Sequence, residues 1–151
     1  MVTQHDLMDV LGDEHREMTK LFDELTAIDS YDVLGRAAVF ERLSDALVVL
    51  VETEQDVLCP VLRAHAATTE LADEALSDHA HVRRMLEELH LLEPDGDRWM
   101  ERVYDLRDLV EHHVVQEERE LFARARDLFS EEQLADLGRQ FLAHRQMHRA
   151  V

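Results

Sequence analysis

Apolar residues recur every three or four positions through five segments separated by short polar breaks. That period gathers them on one stripe of a helix. The first row is Leu7, Leu11, Met18, Phe22 and Leu25, in a helix predicted from about Thr3 to Ile28. The second is Phe40, Leu43, Leu47, Leu50, Leu58 and Val61, in a helix from about Val33 to His65. The third is Ala72, Ala75, Val82, Leu86 and Leu89, from about Thr69 to Leu92, and the fourth runs from Trp99, Val103, Leu106 and Val110 to Leu121, Ala125 and Leu128. A fifth helix opens at Ser130-Glu131-Glu132-Gln133, a capping-box pattern, and continues through Leu134, Leu137, Phe141 and Leu142 to the end. The breaks are Asp29-Ser30-Tyr31-Asp32 and Pro94-Asp95-Gly96-Asp97. Pro60 is expected to kink the second helix or mark its last turns. Gly12 weakens the first helix locally and leaves room for a neighbour. Long helices joined by short breaks predict an all-α fold, an up-down-up-down four-helix bundle with an additional C-terminal helix.

Five polar residues interrupt these rows. His15 sits between Leu11 and Met18, Glu54 between Leu50 and Leu58, and His79 between Ala75 and Val82. His113 and Glu117 continue the row of Val110. Residues four apart lie on one helix face about 6 Å apart along the axis. Burying polar groups in an apolar row is costly unless they are paired or bind a metal. Imidazoles and carboxylates projecting into a bundle core are how bundle metal sites are built. His81, His112 and Glu118 lie on neighbouring faces and read as solvated or supporting residues. His144 and His148 are also four apart, but a histidine-rich terminal turn reads as surface.

A repeat ties the five together. His15 and His79 are 64 residues apart, and Glu54 and Glu117 are 63 apart. The two halves read as two copies of one helical hairpin, each with a His on its first helix and an acid on its second. In antiparallel helices of these lengths the five residues meet near mid-height.

Composition narrows the function classes. The 151 residues suggest a single domain spanning 1–151. A formal charge of −18 argues against nucleic acid or an anionic membrane surface as partner, since phosphate binding needs clustered Lys and Arg. The single cysteine, Cys59, permits no internal disulfide and reads as a small core residue. With no apolar run long enough to span a bilayer, a cytoplasmic location is expected.

Over roughly residues 5–143 the chain resembles the hemerythrin-like, or HHE cation-binding, family. The residues that carry the likeness are Asp13-Glu14-His15, Leu50 to Pro60 around Glu54, Asp78-His79, and His113-Val-Val-Gln-Glu117-Glu118 with Leu121-Phe122. The resemblance implies a di-iron centre bridged by Glu54 and Glu117. One iron would take His79 and His113. The other would take His15 and a second histidine, whose position is Leu50 here. The family's tyrosine before proline is replaced by Cys59. Leucine cannot ligate, so three outcomes stand: a di-iron centre with one labile iron, one metal at His79 and His113, or a bundle kept for protein contacts. Glu14, Glu17 and Glu52 are near enough in sequence to be considered as substitutes, although none shares the row of Leu50. The expected cofactor is non-haem iron, and the expected ligand a small diatomic or peroxide. An oxygen- or peroxide-handling protein, a metal or oxygen sensor and a metal-free interaction module remain as alternatives.

Overall fold

The computed structural model describes residues 5–149, so the expected start at Thr3 and the last two residues lie outside the described residues. Helix α1 spans Leu7–Thr26 and α2 Val33–Thr53. A single π-helical turn, Glu54–Leu58, follows, and then α3, Cys59–Arg63. A short 3₁₀ turn leads into α4, Thr69–Leu91, and α5 is Asp97–Gln116. A second π turn, Glu117–Leu121, precedes α6, Phe122–Leu128, and α7 is Glu131–Arg149. There is no strand among the described residues.

The two hairpins pack as the patterning requires. α1 lies against α2, and α4 against α5, while contacts between α1 and α5 and between α2 and α4 close the four-helix bundle. Every predicted apolar residue of the first row is buried, from Leu7 to Leu25. So are Trp99, Val103, Leu106 and Val110 on α5. At one end the two turns meet, where the buried Arg36 donates to the Pro94 carbonyl at 2.9 Å.

Local chemistry sets the helix ends. Asp6 caps α1: its carboxylate accepts from the Asp9 amide, and its own amide donates to Asp9 in return. This fixes the start at Leu7. The Ser130 box forms as predicted, with reciprocal bonds of 2.9 and 3.1 Å to Gln133. The fifth helix packs on α1 and α2. Gly138 makes that contact close, because a Cβ there would sit 2.6 Å from the His5 carbonyl oxygen. Gly12 was expected to provide such an approach; a Cβ there would meet only the flexible Arg16 side chain at 3.5 Å.

The expected continuous second and fourth helices are each interrupted by a π turn. In the second, Pro60 removes an amide and its ring opposes the carbonyl four residues earlier, so one extra residue in the preceding turn relieves the conflict. The fourth has no proline at the corresponding place, and the sequence offers no local cause. Both π turns begin at the acid of their hairpin, Glu54 and Glu117. Such turns cluster at functional sites.

Candidate metal centre

The five interrupting residues converge in the middle of the bundle. Nε2 of His79 lies 2.7 Å from Oε2 of Glu54, and Nε2 of His113 lies 3.4 Å from the same oxygen. His113 Nε2 also faces Glu117 Oε2 at 2.8 Å. The other Glu117 oxygen faces Nε2 of His15 at 3.4 Å. Two overlapping sets result, Glu54-His79-His113 and His15-Glu54-Glu117, in each of which one donor atom per residue lies within 4.8 Å of the others. Glu54 belongs to both. Glu117 points one oxygen toward a histidine of each.

Burial sharpens the geometry. His15, Glu54, His79 and Glu117 are buried, and His113 is half-buried. His15 Nε2, His79 Nδ1 and one oxygen each of Glu54 and Glu117 have no hydrogen-bond partner. Each such atom costs about 1–3 kcal/mol if left unsatisfied. A cation between the carboxylates and imidazoles would satisfy three of them together, so the residues present fit a metal.

Supporting carboxylates orient two of the rings. His113 Nδ1 donates to Asp78 at 2.9 Å, and His15 Nδ1 donates to Glu118 at 3.1 Å. With Nδ1–H engaged, Nε2 is the nitrogen each ring turns toward the central carboxylates, and loss of its proton would leave it free to ligate, the arrangement that metal-binding histidines use. Glu118 thus holds a supporting place, whereas His81 and His112 are exposed. Asp78 adjoins His79 in sequence but serves His113. Neither cross-helix bond had a sequence signature, because an acid at a helix edge looks the same whether it meets a partner or water.

The charges respond to this packing. Burial alone would raise Glu54, but hydrogen bonds from His113 and His79 hold its carboxyl far below the usual carboxylate range. Burial would lower His113, yet bonds to Asp78, Glu117 and Glu54 raise it well above an ordinary histidine. His15 is raised against its own burial by Glu117, Glu118 and Glu54. Burial, with Glu54 and Glu117 nearby, pushes the Cys59 thiol up to about 11. The expected core role for Cys59 fits, since a thiol so raised is a poor nucleophile at neutral pH.

Leu50 is buried beside the centre. With Leu47, Val51, Val82, Val110 and Val114 it gives an apolar wall to a cavity of about 20 Å³ that His15, Glu54, His79 and His113 complete. That is room for about one water-sized molecule. A larger cleft of about 200 Å³ between α1 and α5, lined by Met18, Phe22, Val110 and Val114, also reaches His15. The considered substitutes for a ligand at position 50 face elsewhere. Glu14 is buried in an ion pair with Arg145 of α7. Glu17 and Glu52 line an open groove beside α2.

Residues 6–125 match the family model described as the hemerythrin HHE cation binding domain. The chain belongs to the hemerythrin HHE family. All five core-row residues of this HHE domain fall within the matched region. A hemerythrin HHE cation-binding domain-containing protein from Mycobacterium kansasii has the same fold, with a TM-score of 0.85 over 99% of this chain and 89% of that one at 22% identity. A protein described as a DNA nickase from Nostoc sp. is 32% identical over 140 residues, 91% of this chain. This HHE domain spans 38% of that relative's length. No described helix is long and apolar enough to cross a membrane.

Proposed function

We propose that this HHE domain holds non-haem iron at His15, Glu54, His79, His113 and Glu117 and uses it to bind or react with dioxygen, peroxide or nitric oxide. The observation that carries the reading is the sharing of carboxylates. Glu54 belongs to both donor sets, and Glu117 addresses His113 with one oxygen and His15 with the other. Two carboxylates reaching two separate imidazole groups suit a pair of metals. The imidazole–carboxylate donor set suits iron. Iron there supplies redox-active coordination positions at which small diatomics or peroxide react.

The chain's residues divide the remaining work. Asp78 and Glu118 fix the ring orientation of His113 and His15. The Leu50 cavity gives a small apolar molecule a place beside the donors while keeping bulk water out. The two half-sites are unequal. His79 and His113 bring two nitrogens to one, while His15 alone serves the other because Leu50 supplies none. The second iron is therefore the labile one.

The nickase likeness does not carry nicking to this chain, since the match covers a minority of that protein and a charge of −18 opposes a phosphate backbone. A second reading is a metal-poor bundle acting as a regulatory protein-interaction module. Leu50 favours it, as do the exposed Tyr31, Leu34 and Leu91 near the end where the two turns meet. Iron content and the absorption spectrum of tag-free protein separate the readings. Between one and two irons per chain, with a spectrum that changes on adding peroxide or nitric oxide, is expected. Protein that takes up no iron would reject the proposal in favour of the module.

A further inference from the structure

A second group of donors lies on the outer side of α2, away from the buried centre. Glu52 and Asp56 are four residues apart, as are His144 and His148 on α7. The two pairs face each other in opposite order. His144 Nε2 lies 2.8 Å from Asp56 Oδ2, and His148 Nδ1 lies 3.6 Å from Glu52 Oε2. The two histidine Nε2 atoms are 3.3 Å apart. One donor atom each from Asp56, His144 and His148 lies within 4.8 Å of the others.

The hydrogen bonds around His144 give this cluster its meaning. The buried Thr53 hydroxyl donates to the Val49 carbonyl at 2.7 Å, so its own hydrogen is committed. Thr53 can then only accept from His144 Nδ1, 3.1 Å away. The Nδ1 of a neutral His144 ring therefore carries the hydrogen, and Nε2 presents a lone pair. That nitrogen faces the Asp56 carboxylate at 2.8 Å and the Nε2 of His148 at 3.3 Å, so three potential ligand atoms converge there. His148 meanwhile has Nδ1 toward the Glu52 carboxylate, which leaves its Nε2 as the atom turned to the cluster. A histidine held through Nδ1, as His144 is by Thr53, with its Nε2 converging on a second imidazole and a carboxylate is arranged as metal ligands are.

We infer that Asp56, His144 and His148 form a solvent-facing site for a borderline divalent transition cation such as Zn²⁺, independent of the buried centre. Two imidazoles and one carboxylate are a three-ligand set that leaves a position for water, and they discriminate against Mg²⁺ and Ca²⁺, which take oxygen ligands. Because the ligands come from α7 and from the π turn after α2, an ion there clamps the last turns of α7 to the second helix.

Calorimetric titration of the tag-free 151-residue chain with Zn²⁺ tests this, comparing the parent with His148→Ala and Asp56→Asn. Both side chains are substantially exposed, and circular dichroism checks that the variants keep their helix content. One Zn²⁺ event per chain is expected in the parent, weakened at least tenfold in each variant, while any event from the buried centre persists in all three. Hydrogen exchange in the last turns of α7 should slow with Zn²⁺ in the parent only. Matching isotherms for the three proteins, with or without Zn²⁺ uptake, would overturn the proposal and leave the cluster a contact between α7 and the second helix only.

Discussion

Replacing Leu50 by His tests the unequal half-sites most sharply. Leu50 is buried one turn before Glu54, as His113 is one turn before Glu117, and its cavity already includes His15, Glu54, His79 and His113. An imidazole is close to leucine in volume, so repacking should cost less than about 1.5 kcal/mol. The new polar ring has a partner within the cavity lining, because one Glu54 oxygen is buried without a hydrogen bond. For a chain of this size each kcal/mol moves Tm by about 2–4 °C, so the metal-free variant should melt no more than about 6 °C below the parent. With iron the loss is recovered. A nitrogen added to the half-site that has only His15 should tighten it at least tenfold, which at saturating iron contributes about 1.4 kcal/mol and offsets the repacking cost. Anaerobic ferrous titration, paired with melting curves in chelator and in iron, measures both effects. The parent should give one tight and one weak event, and Leu50→His two tight ones. Two equal tight events in the parent would refute the reasoning, because another group would then already fill the position that Leu50 leaves.

Four further outcomes follow from the structure. Asp78→Asn should weaken the half-site of His79 and His113 by about 10- to 100-fold, by loosening the His113 ring, and leave the weaker event unchanged in iron competition assays. His113 and His15, both raised by their carboxylate neighbours, must give up the proton at Nε2 before that atom can ligate, so iron uptake should release protons and tighten as pH rises, as a pH-indicator dye would record. In the absence of metal their contribution to stability is complete below the unfolded histidine value of about 6.5 and declines as pH rises toward the raised folded values, whereas that of the depressed Glu54 is lost on acidification. Urea unfolding of metal-free protein should therefore show stability falling on the alkaline side. Gly138→Ala sets a Cβ against the backbone of His5 and Asp6, a strain of about 1–3 kcal/mol. The helix-propensity gain of about 1 kcal/mol offsets part of it, so chemical unfolding should show a net loss of up to about 2 kcal/mol.

Periodicity made most of the architecture legible in the sequence. The apolar rows predicted the helices, and the residues interrupting them, His15, Glu54, His79, His113 and Glu117, are those that meet in the core. The repeat placed them at one level because both hairpins share one spacing. The π turns were hidden, since a row stepping by three and four does not reveal one extra residue in a turn. The bonds from Asp78 to His113 and from Glu118 to His15 were hidden for a different reason: they depend on how neighbouring helices are rotated. His144 and His148 read as a surface turn until the packing of α7 set them opposite Asp56 and Glu52. Gly12 and Gly138 look alike in sequence, and only the approach of α1 to α7 separates them.

The central claim is that Glu54 and Glu117 join two metal positions of unequal strength. Anomalous diffraction at the iron edge, from crystals of tag-free protein loaded anaerobically, tests it most directly. Two peaks are expected in the bundle core, a strong one among Glu54, His79 and His113 and a weaker one among His15, Glu54 and Glu117. No peak among these residues, or a single peak at His15 alone, would contradict it.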